Sequence, residues 1–164
     1  MDDELSTLSA ATGALLRERG WLLATAESCT GGWIAQVVTA TAGSSSWFDC
    51  GFVSYSNAAK QSLLGVAPAT LLEHGAVSEQ TVREMASGAI VRSRAQVALA
   101  VSGIAGPGGA VPGKPVGTVC FAWALPDGTL IAETHRFAGD REAVRHQTVV
   151  HALQSLPRLL RRHG

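Results

Sequence analysis

The sequence predicts an α/β fold, a layered α/β/α sandwich around a mixed, mostly parallel sheet with an antiparallel hairpin. Three observations carry that expectation. Apolar runs of strand length alternate with stretches whose apolar residues recur at helical spacing. Glycine or proline marks many of the junctions between them. One segment, Pro126-Asp127-Gly128, lies between two apolar runs and reads as the turn of a hairpin. Strands separated by helices favour parallel pairing, and the hairpin adds an antiparallel edge.

The elements follow in order. Residues 3–19 carry Leu5, Leu8, Ala11 and Leu15 on one helical stripe, and Gly20 ends that helix. Residues 21–26 form an apolar run of strand length, and a helix bearing Ile34, Val37 and Val38 follows Gly31-Gly32. Residues 51–56 read as a strand ending near Tyr55. Asn57 is expected to cap a helix over 58–64 that Gly65 ends. Pro68 starts a short helix that stops at Gly75. Ser78 caps a helix whose inner stripe is Val82, Met85, Ala86 and Ala89, and residues 95–101 read as a buried strand. The segment from Ser102 to Pro115, rich in glycine and proline, is expected to be loop. Residues 116–125 and 129–137 make the hairpin. The last helix starts near Gly139 with the stripe Val149, Leu153, Leu156 and Leu160, and Pro157 is expected to kink or stop it.

At 164 residues and 46% hydrophobic, the chain can bury a full core and is expected to form a single domain over 1–164. Charged residues are 16%, below the ~25% of average soluble domains, which suits burial of surface in a homodimer or higher homo-oligomer. Thirteen basic residues balance thirteen acidic ones, which argues against a nucleic-acid or anionic-membrane surface but leaves room for one phosphate pocket. Cys29, Cys50 and Cys120 form no CxxC pair, so neither a disulfide scaffold nor a zinc ribbon is expected. The opening Met1-Asp2-Asp3-Glu4 has the wrong charge for a signal peptide, and no apolar run reaches ~20 residues. A reduced cytoplasm is the expected location.

Four segments could carry chemistry. Ala26-Glu27-Ser28-Cys29-Thr30-Gly31-Gly32 lies where a strand hands over to a helix, the position where α/β proteins gather ligands. A serine there sits beside free N–H groups that favour a developing oxyanion, although an ordinary helix cap explains the same residues. In Tyr55-Ser56-Asn57-Ala58-Ala59-Lys60, the lysine falls in the first helical turn. The dipole and partial burial there disfavour its charge, and a neutral lysine is the base that a Ser-Lys hydrolase requires. Tyr55, the one tyrosine in the chain, could reach the same pocket, against the plain alternative of a surface lysine and a half-buried ring. Ser102-Gly103-Ile104-Ala105-Gly106-Pro107-Gly108-Gly109 follows a strand but precedes another strand, so it is neither a dinucleotide fingerprint nor a P-loop. It can still aim several N–H groups at one anion. Before the last helix, Asp140 suits the first turn, and Arg141 or Arg145 could meet a phosphate or carboxylate. His146 and His151 are five apart and share no helix face, and Cys120 opposite His135 reads as a cross-strand pair, so no metal site is expected.

Together these segments resemble the CinA C-terminal domain family. The matching stretches are Ala26–Gly32, Ala42–Ser45, Tyr55–Lys60 with Leu63-Leu64-Gly65-Val66, Ser102–Gly109, Lys114–Val119 and Gly139–Arg145, in family order over about residues 5–160. The sequence departs from the family at Ala42, where proline is usual, and at Cys50, where glycine is frequent. The resemblance implies a stand-alone nicotinamide-nucleotide amidase that converts nicotinamide mononucleotide to nicotinate mononucleotide and ammonia, without a cofactor or metal. It implies Ser28 as nucleophile, Lys60 as base and Tyr55 as its assistant. Cys29, Thr30, Gly31, Gly32, Ser102, Gly103, Gly106, Gly108 and Arg141 are then expected around the oxyanion and substrate. A non-catalytic nucleotide-binding module of the same fold, or an amidase of another small amide, would fit the same residues.

Overall fold

Helix boundaries in this chain are written by its small polar residues and glycines. In the computed structural model, which describes residues 2–163, Asp2 accepts from the Leu5 N–H and opens α1 (Asp3–Arg19), and Gly20 closes it at φ 71°. The chain continues through β1 (Leu23–Glu27), α2 (Trp33–Thr39), a 3-10 turn at Ser44–Ser46, β2 (Phe48–Val53), α3 (Asn57–Leu64) and α4 (Pro68–His74). Then come α5 (Glu79–Val91), β3 (Val97–Gly103), β4 (Thr118–Ala124), β5 (Leu130–Arg136) and α6 (Arg141–His163). Ser78 caps α5, and the stripe Val82, Met85, Ala86 and Ala89 is buried.

The strands form one mixed sheet in the order β2-β1-β3-β4-β5. β1 pairs parallel with both β2 and β3, while β4 runs antiparallel between β3 and β5. Four strands therefore share one direction and only β4 opposes it. Alternation along the strands sorts residues by size. Val97, Leu99, Val101, Phe121 and Trp123 face α1, α2 and α6. Ala98, Ala100, Cys120 and Ala122 face the layer of α3, α4 and α5. Helices cover both faces, as expected of a layered sandwich. Among the described residues, no helix is long and apolar enough to cross a membrane.

The structure corrects several local expectations. Ser56, not Asn57, caps α3, because Ser56 is the extended residue whose hydroxyl reaches the Ala59 N–H. β2 runs from Phe48 to Val53 instead of toward Tyr55, because the carbonyls of Ser54 and Tyr55 turn to Lys60. Ser102 and Gly103 belong to β3, not to the following loop, since Cys120 and Val119 of β4 pair with them. Pro157 does not stop α6: the buried stripe of Leu153, Leu156 and Leu160 carries the helix past the missing N–H. The hairpin turn holds three residues, with the Leu125 N–H on the Thr129 carbonyl and Gly128 at φ 89°. That register places Cys120 opposite Thr134, not His135.

Candidate active site

The site lies at the carboxyl ends of β1 and β3, where parallel neighbours leave a crevice. Ser28 follows β1, and its N–H continues the ladder to the Val101 carbonyl. Its hydroxyl oxygen lies 2.8 Å from Lys60 Nζ, which arrives from α3 on the other side of the crevice. Lys60 is 1% exposed and also donates to the carbonyls of Ser54 at 2.9 Å and Tyr55 at 3.0 Å. Burial disfavours the ammonium and pulls its pKa down to about 8.

The three oxygens around Nζ fix what a neutral amine must do. The two carbonyls can only accept, so they take the two N–H bonds. The lone pair is then left facing Ser28 Oγ, poised to receive its proton. Cys29, one residue on, is buried, and that burial drives its thiol up to about 12, leaving little thiolate at neutral pH. The serine is the better nucleophile of the two.

The Ser28 turn is held from both sides. Glu27, buried at the end of β1, accepts from the Thr30 hydroxyl at 2.5 Å and from the N–H groups of Ile34 and Ala35 at 2.8 and 3.0 Å. Its carboxylate thus occupies the start of α2. Arg145 donates to the carbonyls of Cys29 and Thr30 at 3.0 and 3.1 Å, with its guanidinium over the Trp33 ring. Arg145 is therefore committed to the turn, whereas Arg141, one helical turn earlier, lines the pocket. Arg141 donates to the Gly106 carbonyl at 2.8 Å and to the Tyr55 hydroxyl at 3.4 Å. Tyr55 is 61% exposed, and the group it presents to Lys60 is its carbonyl, not its phenol.

The pocket has a volume of about 310 Å³, within the range of small-molecule sites. It gathers Ser28, Cys29, Tyr55 and Lys60 with Ser102, Gly103, Gly106, Gly108 and Arg141. Gly103 has to be glycine here: a Cβ would lie 2.7 Å from Val119 Cγ2 and 3.2 Å from Cys29 Sγ. Thr30, Gly31 and Gly32, expected in the same pocket, instead line a separate concavity with Trp33, Glu142 and Arg145. The reason is the turn itself: Gly31 and Gly32, at φ 61° and 103°, carry the chain away from the crevice. The Gly31 N–H is also spent on the Ser28 carbonyl and is not available to an oxyanion.

Sequence reasoning missed Ser54, Ala76 and Val77, and gave Glu27 no role. Ser54 acts through a backbone carbonyl, which leaves no trace in residue type. Ala76 and Val77 are wall residues from the α4–α5 connection. Glu27 carried a usable signal, a carboxylate just ahead of a helix start, but it caps from seven residues before Ile34. Sequence spacing also gave no warning of Glu133, His135 and His151, which the fold brings together elsewhere.

Comparison with known proteins identifies the family of the chain. Residues 5–160 match the family model described as the CinA C-terminal domain. A relative named nicotinamide-nucleotide amidohydrolase PncC from Escherichia coli is 54% identical over 155 residues, covering 94% of each chain. The protein of the same name from Pseudomonas putida is 49% identical, covering 96% of this chain and 98% of its own. A longer relative from Symbiobacterium thermophilum, named a putative competence-damage inducible protein, is 56% identical, with the match covering 38% of its length. Among solved structures, a competence/damage inducible protein from Agrobacterium tumefaciens superposes with a TM-score of 0.94 at 44% identity, covering 97% of both chains.

Proposed function

The chain belongs to the CinA C-terminal domain family, and from that premise we propose that it hydrolyses the carboxamide of nicotinamide mononucleotide, releasing ammonia and nicotinate mononucleotide. The observation that carries the mechanism is the 2.8 Å contact between Lys60 Nζ and Ser28 Oγ, with two carbonyls placed to take both hydrogens of the neutral amine. Neutral Lys60 takes the serine proton as Oγ attacks the carboxamide carbon. The tetrahedral intermediate collapses, Lys60 returns the proton to the leaving nitrogen, and ammonia departs. Water then attacks the acyl-serine ester and gives its proton to Lys60, and nicotinate mononucleotide leaves as Ser28 is reprotonated. The Cys29 N–H is the donor assigned to the developing oxyanion in this scheme, while Glu27 and Arg145 keep the turn rigid around it.

Arg141 and the N–H groups of the Gly106–Gly109 segment form the phosphate end of the pocket. The exposed Tyr55 ring, tethered by Arg141, borders the entrance where the cationic pyridinium ring passes. No step of this scheme calls on a metal. Association into a homodimer or larger assembly, in the cytoplasm, completes the proposal.

Ammonia release from nicotinamide mononucleotide tests it. Ser28→Ala should abolish turnover with the fold retained, since the hydroxyl contacts only Lys60 Nζ and the Tyr55 carbonyl and losing such a bond costs about 1–3 kcal/mol. Cys29→Ala should keep most of the activity. The reverse pattern would assign the chemistry to the thiol. Nicotinamide riboside should be used far less efficiently than the mononucleotide, and equal efficiency would remove the phosphate role from Arg141 and its loop.

A further inference from the structure

Away from the Ser28 pocket, the outer strand and the last helix bring together three ligand-type side chains. Glu133 and His135 are two apart on β5 and so project from the same face of the sheet, and His151 comes from α6, which packs over that face. One carboxylate oxygen, Glu133 Oε2, lies 2.9 Å from His135 Nε2 and 2.9 Å from His151 Nε2. The three ligand atoms all fall within 4.8 Å of one another.

We propose that Glu133, His135 and His151 bind one divalent first-row transition-metal cation, with Zn²⁺ the best match. Two imidazoles and a carboxylate are the donor set that suits such an ion, and not the all-oxygen set of Ca²⁺ or Mg²⁺. The dimensions agree. Metal–ligand bonds of ~2.1 Å place neighbouring ligand atoms ~3.0 Å apart in an octahedron and ~3.4 Å apart in a tetrahedron. The two 2.9 Å separations lie just below that range. A cation takes the place of the two Nε2 protons that now point at one oxygen, those protons passing to Nδ1 or to solvent, and the two nitrogen–oxygen separations need lengthen by only a few tenths of an ångström.

The rings are already oriented for this. Phe121 packs edge-on against His151 at 4.6 Å and against His135 at 5.6 Å, and Phe137 stacks on His135 at 6.0 Å between centroids. Such an aromatic wall limits the ring rotations that metal binding would otherwise have to freeze, and it lowers the local polarity. The side chains remain 22–37% exposed, so the ion has an entry path and coordination positions left for water. His151 lies six residues after Arg145, about 9 Å along the helix axis, so the ion sits outside the catalytic pocket. Its direct effect would be to pin the edge strand to α6, the helix that carries Arg141 and Arg145.

Calorimetric titration of the full chain, stripped with chelator, with Zn²⁺ tests the site. We expect one equivalent bound at micromolar or tighter affinity, with an accompanying rise in Tm. Glu133→Gln, His135→Ala and His151→Ala should each weaken binding by more than about tenfold and abolish the rise in Tm. His135 is partly exposed on the edge strand, so His135→Ala remains decisive even if a change at His151 disturbs packing. Co²⁺ substitution should give visible absorption in the wild type and not in His135→Ala, without a thiolate charge-transfer band. The proposal is overturned by no binding in the micromolar range, by equal binding in His135→Ala, or by a thiolate band that places the ion on a cysteine.

Discussion

The two sides of the sheet deliver different parts of the candidate site, and they do so by different means. On the α3–α5 side the strands present mainly alanine, and the helices there pack close, backbone against backbone. Gly88 of α5 sits so near α3 that a Cβ would lie 1.9 Å from the Leu64 carbonyl oxygen. This side supplies Lys60. On the α1/α2/α6 side the strands present Leu, Val, Phe and Trp, and the site groups are arginines that reach back through hydrogen bonds. The base is thus placed by helix position together with burial of its stem and hydrogen bonds to two carbonyls, which leave its side chain little freedom to move. The anion-binding end depends on a long side chain, which can accommodate a substrate. Proton transfer needs the tighter placement, and the small-residue side provides it.

The largest expected effect is at Lys60. Lys60→Arg keeps the charge but cannot act as a base, and Lys60→Met removes the nitrogen. Both should lower kcat/KM by roughly 10²–10⁴-fold. Wild-type kcat/KM should rise with pH through a transition near the lysine's pKa of about 8. The stability sign follows from the same shift. Between about 8 and the unfolded lysine's ~10.4, the unfolded chain binds more protons, so wild-type stability rises with pH through that window. Urea unfolding as a function of pH should show that rise in the wild type and not in Lys60→Met. At pH 7 Lys60→Met should unfold at higher urea than the wild type, since it removes a buried charge-bearing group. A Lys60→Arg enzyme with substantial activity would make the residue a fixed cation and remove the contrast between the two sides.

The arginines should divide in steady-state kinetics. Arg141→Gln should raise KM for the mononucleotide by about tenfold to over a hundredfold, the equivalent of ~1.5–3 kcal/mol, and change the riboside far less. Arg145→Gln frees the Cys29 and Thr30 carbonyls and should lower kcat with little change in KM. If both substitutions act on KM alone, Arg145 also reads substrate, and its assignment to the Ser28 turn is wrong.

A smaller effect separates packing from placement. Gly88→Ala should destabilise by about 1–3 kcal/mol through overpacking against Leu64 and, by shifting α3, should lower kcat as well. Leu153→Ala, in the opposite layer, should cost about 2–5 kcal/mol of stability, yet kcat of the remaining folded enzyme should hold. Chemical denaturation paired with turnover on each variant checks this. Equal kcat in both would show that α3 does not set the base by its position. The mildest treatment is chelation: EDTA should leave ammonia release unchanged, because the proposed cation lies outside the pocket.

What the sequence determined by itself was local. Periodicity marked the helices and the buried strand, Gly20, Gly65 and Gly75 marked helix ends, and Pro126-Asp127-Gly128 marked the hairpin, because turn chemistry and helical spacing act over a few residues. Ser28, Lys60 and Arg141 were legible for the same reason, each next to a junction that motifs could locate. Other features were decided only by the tertiary structure. Ser54 and Tyr55 offer main-chain carbonyls that orient the Lys60 amine, and Arg145 rather than Arg141 holds the turn. Gly31 and Gly32 point out of the pocket, and Glu133, His135 and His151 meet across two elements. Each depends on strand order and register, and above all on β1 lying between β2 and β3 with β5 at the far edge. Those pairings join residues 25 to 74 positions apart, and they are chosen by burial of the whole sheet between its two helical layers. No short window of residues contains that free energy, so no motif could have announced it.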